Sequence, residues 1–127
     1  MEITTEFTVI GDDDAQTPKD LAAASPATVV PIDQELFEEL GEPWERGERV
    51  GEAHGIAVVT RRGVAVCNVT FAFEGEDTIS VHGVLPIDGS TLGNGRLAVA
   101  GGTGRFNKAT GTLNMETRNP KRWSFYL

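Results

Sequence analysis

The chain has 127 residues, of which 39% are hydrophobic, and a net charge of −8 at pH 7. A chain of this length buries one core, so we predict a single domain spanning residues 1–127. A net acidic surface repels nucleic acid, and no apolar run approaches the roughly 18 residues that a membrane helix needs. We therefore expect neither nucleic acid nor a membrane as a partner.

The first residues and the cysteine content indicate the compartment. Residues 2–10 alternate polar and apolar side chains directly after Met1, which predicts a strand rather than a secretory signal peptide. Cys67 is the single cysteine, so an internal disulfide framework is excluded and no metal-ligand spacing is present. We expect a cytoplasmic protein that uses no metal and no other cofactor.

The rest of the chain continues as short alternating segments separated by turn residues. Eight strands are predicted, over residues 2–10, 28–37, 49–61, 64–73, 77–85, 95–100, 109–117 and 121–127. Residues 11–26 are predicted to form a loop with one short helical turn over residues 19–24, and the acidic residues 38–48 a second loop. Arg62-Gly63 lies between two strands and predicts a tight hairpin turn.

The sequence Gly101-Gly102-Thr103-Gly104-Arg105-Phe106 follows a strand-like run, as a phosphate-binding loop would. Such a loop requires a helix after it, so that backbone N–H groups and the helix dipole meet the phosphate. Residues 109–117 alternate instead, which predicts a strand. We interpret the segment as a turn between two strands, built from glycines that can adopt positive φ.

The predicted elements indicate one architecture. No helical segment is long enough for the crossover that parallel strands need, so the sheet should be antiparallel. Eight short strands in series favour a small closed barrel, because closure removes exposed edges. Such a barrel is filled by side chains or holds one small ligand. We predict an all-β fold, an eight-stranded antiparallel β-barrel, with a two-sheet sandwich as the alternative.

Five segments in register resemble the allene oxide cyclase family and the related dirigent proteins. They are residues 30–37, Gly51-Glu52-Ala53-His54-Gly55, residues 78–83, residues 97–106 with Ala109 and Gly111, and the terminal Phe125-Tyr126-Leu127. The resemblance runs from about residue 28 to residue 127. It implies an eight-stranded antiparallel barrel whose interior binds a hydrophobic, reactive substrate, and a homo-oligomer, either a dimer or a trimer. It is nearest to small bacterial barrel cyclases that close rings in polyketides, including the [4+2] cyclases of spirotetronate pathways.

The chain departs from the plant cyclases at residues inside their barrel. The alignment places Val9 where the family has a glutamate and Gly11 where it has an asparagine. Gln34 stands in place of an inward asparagine on the second strand, and Ala57 in place of an inward cysteine on the third. Without the carboxylate, the interior cannot polarise an epoxide in the same way, which argues against allene oxide cyclase chemistry. A shifted register of the first strand would turn Glu6 inward instead.

Alternation in this register predicts an apolar interior with one amide and one thiol. The predicted substrate-binding residues are Phe7, Val9, Val30, Ile32, Ala57, Val59, Cys67, Val69, Phe71, Ile79, Val81, Leu85, Met115 and Trp123. Gln34 is the candidate catalytic residue, because its amide can donate a hydrogen bond to a carbonyl that gains electron density. The alternative is that Gln34 points to solvent. His54 and His82 are predicted on the outer face, and Cys67 as a small buried apolar residue rather than a nucleophile.

Three functions remain open from the sequence. The favoured one is a cofactor-free cyclase of secondary metabolism, which folds a mostly apolar, polyketide-like substrate for [4+2] or related ring closure, as a Diels-Alderase does. The second is a dirigent-like binding barrel that orients a reactive intermediate made elsewhere and does not catalyse. The third is an allene oxide cyclase-type isomerase, or a structural barrel subunit.

Overall fold

The computed structural model describes residues 5–12, 21–42, 44–117 and 121–127. The strands are β1 Glu6–Gly11, β2 Val29–Glu39, β3 Arg46–Arg61, β4 Val64–Phe73, β5 Thr78–Asp88, β6 Thr91–Leu92, β7 Gly95–Thr103, β8 Thr112–Thr117 and β9 Lys121–Tyr126. Within the described ranges, the helical segments are two short 3-10 helices, Leu21–Ala23 and Gly104–Phe106. Over the same ranges, no helix has the length and apolar content to cross a bilayer.

Eight of the strands form a closed antiparallel barrel. Their order is β4-β3-β2-β1-β9-β8-β7-β5, and β5 also pairs with β4, which completes the ring. The two-residue strand β6 only extends one end of β5. The predicted eight-stranded antiparallel barrel is therefore confirmed. The alternative sandwich is wrong, because every strand of the ring is hydrogen-bonded on both sides.

The seam of the barrel lies between β1 and β9. Phe7 is paired with Phe125, and Val9 with Trp123, across an antiparallel register. Glu6 lies on the outer face and is exposed, so the shifted register that would turn Glu6 inward is wrong. Alternation along β1 therefore directs Phe7 and Val9 into the barrel, as predicted.

Arg122 covers the outer side of this seam. Its Nη2 atom donates to Glu39 of β2 and its Nη1 atom to Glu116 of β8, each at 2.8 Å. The hydrogen bond from Arg122 holds the pKa of the Glu39 carboxyl below its usual range, although partial burial opposes the shift. Ile10, which is paired with Arg122, is fully buried although it points away from the interior. The outer face of the seam is therefore sealed by ion pairs above an apolar residue.

The strands around the acidic segment are longer than predicted. β2 continues to Glu39 and β3 begins at Arg46, so the loop predicted over residues 38–48 is wrong at both ends. The guanidinium of Arg46 lies 4.2 Å from the centre of the Phe37 ring, and Glu39 is paired with Arg46. The side-chain contact between Arg46 and Phe37 and this backbone pairing extend the strand pair beyond what local strand propensity predicts.

Two other connections bear on the sequence predictions. The helical turn predicted over residues 19–24 is observed as Leu21–Ala23, and the residues before it lie outside the described ranges. The turn at Arg62-Gly63 is confirmed, with Gly63 at φ +82°. The strand predicted from residue 109 begins at Thr112 instead, because the Ala109 N–H bonds back to the Phe106 carbonyl and continues the turn.

The interior is divided unevenly between large and small side chains. One group of rings, which we call the aromatic cluster, consists of Phe7, Phe71, Phe73, Phe106, Trp123 and Phe125. Its closest pairs are Phe7 stacked on Phe125 at 4.7 Å and Phe71 edge-on to Phe125 at 4.9 Å. The inward positions of β3 from 51 to 57 are all small: Gly51, Ala53, Gly55 and Ala57. One wall of the barrel therefore contributes little side-chain volume.

The glycine-rich segment closes one end of the barrel. β7 runs as far as Thr103, and the short helix that follows places Phe106 against Phe73. Asp77 fixes this corner, since its carboxylate accepts from the Arg105 backbone N–H at 3.0 Å and from Arg105 Nε at 2.8 Å. The backbone hydrogen bond is the main reason that the pKa of Asp77 lies below its usual range. The turn predicted over residues 101–106 is therefore wrong in its first half, because residues 101–103 continue β7; the turn begins at Gly104, and no phosphate-binding helix follows it.

We predict that Gly104→Ala destabilises the barrel more than Gly63→Ala. Both glycines have positive φ, so each change should cost about 1–2 kcal/mol from backbone strain. A Cβ atom on Gly63 meets open space, whereas one on Gly104 overlaps the Asp77 carboxylate and adds roughly 1–3 kcal/mol. Urea unfolding measures both values. Equal losses for the two variants would show that the Asp77 corner does not restrain the end of the barrel.

Candidate functional site

Gln34 lies inside the barrel on β2 and is 1% exposed. Its inward position follows from alternation, since Val30, Ile32 and Leu36 on the same strand are also buried. The indole Nε1 of Trp123 donates a hydrogen bond to Gln34 Oε1 at 3.0 Å. The alternative that Gln34 points to solvent is therefore wrong.

This hydrogen bond fixes the direction of the amide. An indole N–H can only donate, so the atom that faces Trp123 must be the amide oxygen. The amide Nε2 consequently points the other way, and across the described ranges it has no hydrogen-bond partner. A buried polar group left without a partner costs about 1–3 kcal/mol. The barrel thus holds an oriented N–H donor in surroundings that are otherwise mostly apolar.

Gly11 makes room for this arrangement. It is the last residue of β1 and lies next to the Gln34 side chain. A Cβ atom at this position would overlap Gln34 Oε1 and lie 3.2 Å from Trp123 Nε1. The loop predicted from residue 11 is therefore wrong at its first residue, because Gly11 belongs to β1. Continued alternation from Phe7 and Val9 was the signal that places it on the inner face.

The structure brings the predicted substrate-binding residues together in one core. Phe7 is partly buried and packs against that core, and the others are buried within it: Val9, Val30, Ile32, Ala57, Val59, Cys67, Val69, Phe71, Ile79, Val81, Leu85, Met115 and Trp123. The same core also contains residues that were not among the predicted substrate-binding residues, namely Leu21, Leu36, Ala53, Ala65, Phe73, Leu92, Leu97, Val99, Phe106, Leu113 and Phe125. For the predicted substrate-binding residues, the position inside the barrel is observed, whereas contact with a substrate stays a prediction.

Cys67 is buried, and burial raises the pKa of its thiol to about 11. The thiol is therefore neutral near pH 7 and a poor nucleophile. Its predicted role as a small apolar residue agrees with this environment. The charge of Lys121 opposes this rise in pKa, but burial has the larger effect.

Lys121 is a buried charged residue that the sequence predictions did not include. It begins β9, is 5% exposed, and shares the inner face of that strand with Trp123 and Phe125. The period-2 pattern that assigned Trp123 to the interior also assigns Lys121 to it. Lysine side chains are rarely buried, so the residue type gave no indication that position 121 faces the interior.

The two histidines lie on the outer face, as predicted. His54 is exposed between Glu52, whose carboxylate is 3.0 Å from Nε2, and Asp33, whose carboxylate is 3.4 Å from Nδ1. His82 is also exposed. Where the structure describes the chain, no three His, Cys, Asp or Glu side chains converge as metal ligands would.

We predict that Gly11→Ala displaces the Gln34 amide and breaks its hydrogen bond to Trp123. The loss of a buried hydrogen bond should lower the free energy of unfolding by about 1–3 kcal/mol. It should also shift the indole N–H resonance of Trp123 in a nitrogen-15 NMR spectrum. Gly41→Ala is the matched control, since a Cβ atom there meets nothing within 4 Å. An unchanged indole resonance in Gly11→Ala would contradict the close packing described above.

Comparisons with solved structures support the barrel geometry. A pyocyanin demethylase superposes with a TM-score of 0.73 at 18% identity, over 94% of this chain and 97% of the other. The pterocarpan synthase dirigent protein GePTS1 superposes with a TM-score of 0.61 at 22% identity, over 94% of this chain and 79% of the other. At these identities the likeness concerns the fold alone. No curated protein matches the sequence.

A family profile matches the sequence directly. The profile of the dirigent-like protein family aligns with residues 4–124, which include all the inward residues described above except Phe125. The resemblance stated from the sequence motifs is therefore confirmed, and the fold is that of a dirigent-like or cyclase-like binding barrel. The chain belongs to the dirigent-like protein family.

Proposed function

We propose that this protein is a cofactor-free cyclase of secondary metabolism. Its substrate is mostly apolar and polyketide-like, and it is folded inside the barrel for [4+2] or related ring closure. The observation that carries the proposal is the buried Nε2 of Gln34, which is oriented by Trp123 and has no partner within the described residues. A carbonyl oxygen of a bound substrate is the group that would satisfy this donor.

The chemistry matches an interior of this composition. A [4+2] addition forms two carbon–carbon bonds and releases no group, so it needs no proton donor. Holding the two reacting ends together contributes up to about 7–11 kcal/mol in well-oriented intramolecular reactions. A hydrogen bond from Gln34 to the carbonyl of the dienophile lowers the barrier further, because that oxygen gains electron density in the transition state. The apolar walls supply the first effect and Gln34 the second.

The set of buried polar residues argues against carboxylate chemistry. In the ranges that the structure describes, the buried polar or charged residues are Gln34, Lys121 and Ser124, and none of them is acidic. Val9 is buried on the inner face of β1, and the resemblance to the plant cyclases aligns their glutamate with this position. We therefore do not propose allene oxide cyclase-type isomerisation for this chain.

A non-catalytic guide is the second candidate. Membership of the dirigent-like family favours it, because such a barrel can orient a reactive intermediate made by another enzyme. One structural neighbour is named a demethylase, and the other is named both a synthase and a dirigent protein. The two candidates differ in whether the purified protein acts alone.

We expect the purified protein to convert a linear polyene that carries a dienophile carbonyl, without an oxidase. Gln34→Leu should lower the turnover about 10–100-fold, as expected for one hydrogen bond to an oxygen that gains charge. His54→Gln, which changes the outer face, is the control and should retain turnover. Product formation followed by chromatography measures these rates. Turnover that appears only with an added oxidase would favour the guide, and unchanged turnover in Gln34→Leu would remove Gln34 from the mechanism.

We also propose that the protein self-associates through an apolar row on its outer face. Val29, Val58, Val66 and Val84 lie directly opposite one another across four adjacent strands, β2 to β5. Val29 is 53% exposed and Val84 is 59% exposed, and Ile56 beside the row is 44% exposed. Continuous apolar surface of this kind favours burial against a matching surface, and a second copy supplies one by symmetry.

We expect light scattering after size exclusion to give the mass of a dimer or trimer of the 13.6 kDa chain. Ile56→Arg combined with Val84→Arg should shift the protein to the monomer, because two charges would be desolvated in the interface. Asn107→Arg combined with Thr110→Arg adds the same charge at exposed positions elsewhere and should leave the mass unchanged. A wild-type protein that is monomeric at high concentration would contradict this proposal.

A further inference from the structure

We propose that the barrel opens between β1 and β2 to admit a guest, and that the ion pair of Arg122 and Glu39 holds this junction closed. We call this ion pair the clasp. The inference rests on the proposed function, because it supplies the route by which a guest reaches Gln34. The opening itself is a property of the barrel alone, so it is measurable without a ligand.

The candidate site is enclosed by the wall of the barrel. Gln34 is 1% exposed, and Trp123, which bonds to it, is fully buried. Every strand of the ring has a hydrogen-bonded neighbour on both sides. A guest therefore reaches the Gln34 amide only while part of the wall is open. Elements that move to admit ligands are those of low local stability, so the weakest junction is the expected place.

The register between β1 and β2 is the shortest in the ring. Within the described ranges, three residues of β1 are in register with β2, residues 9–11, whereas five are in register with β9, residues 6–10. On its other side, β2 is in register with ten residues of β3. Asp12 adds hydrogen bonds to Glu35 at the end of the short register, at 3.0 and 3.1 Å. Because cross-strand contacts accumulate with each pair, the β1–β2 junction should need the least free energy to open.

The clasp lies over this short register. Arg122 is on β9, and Ile10 of β1 is paired with it on one side and with Phe37 of β2 on the other. The Nε and Nη2 atoms of Arg122 donate to the two carboxylate oxygens of Glu39 on β2. The two side chains are 21% and 11% exposed, so water screens the pair little. The clasp therefore connects β9 to β2 across the outside of β1, where the fewest backbone pairs hold the wall together.

The same junction borders the candidate site. Gly11 belongs to the β1–β2 register, and a Cβ atom on it would overlap the Gln34 side chain. Separation of β1 from β2 would therefore uncover the amide whose Nε2 has no partner within the described residues. The next shortest register, four pairs between β7 and β8, is separated from β2 by β1 and β9. Opening there would not uncover Gln34 directly.

Native-state hydrogen exchange measured by NMR tests the opening without a ligand. The relevant amides are those that bridge β1 and β2, among residues 9–12 and 35–38. In the wild-type protein they should exchange about 10-fold faster, or more, than the slowest amides of β4, after correction for intrinsic rates. Equal rates at the two places would overturn the proposal, because the junction would then open only when the whole barrel unfolds.

Two substitutions among the partners of Arg122 test the clasp. Glu39→Gln removes the charge of the partner on β2 and should raise the exchange rates of the bridging amides about 10-fold, since opening no longer breaks an ion pair. Glu116→Gln is the matched control. It removes the partner on β8, which stays beside Arg122 when β1 and β2 separate, so the same rates should change less than about 2-fold.

An equal acceleration in both variants, or none in Glu39→Gln, would overturn the role of the clasp. Circular dichroism establishes that each variant is folded. If Glu39→Gln does not fold, Arg122→Lys replaces it, because lysine keeps the charge but loses the two-point contact with Glu39. Arg122→Lys should then show the acceleration.

The rate of guest entry connects the opening to the proposed function. The probe is the methyl ester of parinaric acid, a neutral fluorescent polyene, and stopped-flow fluorescence at low probe concentration follows its association. Glu39→Gln should raise the association rate by the same factor as the exchange of the bridging amides. An unchanged association rate would overturn the route of entry. Failure of the ester to bind would instead contradict the proposed function, and the exchange rates would then decide whether the junction opens.

Discussion

The hydrogen bond from Trp123 to Gln34 is the constraint on which the candidate site depends. A tryptophan can only donate, so it determines which end of the amide is left to face the interior. The bond forms because Gly11 has no side chain to occupy the space that the amide takes. Three residues on three neighbouring strands thus convert a flexible polar side chain into a fixed donor. An apolar barrel without that hydrogen bond could bind a guest by shape alone and would have no oriented donor to fix the guest's position.

The distribution of side-chain volume gives this donor its surroundings. The aromatic cluster fills the part of the barrel that Phe106 closes, and the glycines and alanines of β3 line one wall beside Gln34. The Asp77–Arg105 corner holds Phe106 in position from outside. Rigid packing at one end and small residues along a neighbouring wall are what a guest of defined shape requires. The binding role proposed here therefore depends on the same packing that stabilises the fold.

Much of this arrangement could be predicted because a strand has a strict period of two. Alternation places Val30, Ile32 and Gln34 on one face whatever the neighbouring strands are. The prediction of inward residues failed at positions where the residue type was given more weight than the alternation along the strand. Gly11 precedes a run of aspartates, a sequence typical of a turn, and lysine is typical of the protein surface. Both residues nevertheless continue the inward pattern of their strands. The end of β2 could not be predicted, since Glu39 is held there by Arg122, which is far away in sequence.

The β1–β9 seam has a consequence for the order in which the molecule matures. The partners Phe7 and Phe125 are separated by almost the whole polypeptide, so the ring closes through contacts of high sequence separation, which form slowly. The strand that completes the ring also supplies Trp123, which orients Gln34. A nascent or truncated chain therefore lacks both a closed wall and this hydrogen bond, so the site proposed here would form only with the last step of folding.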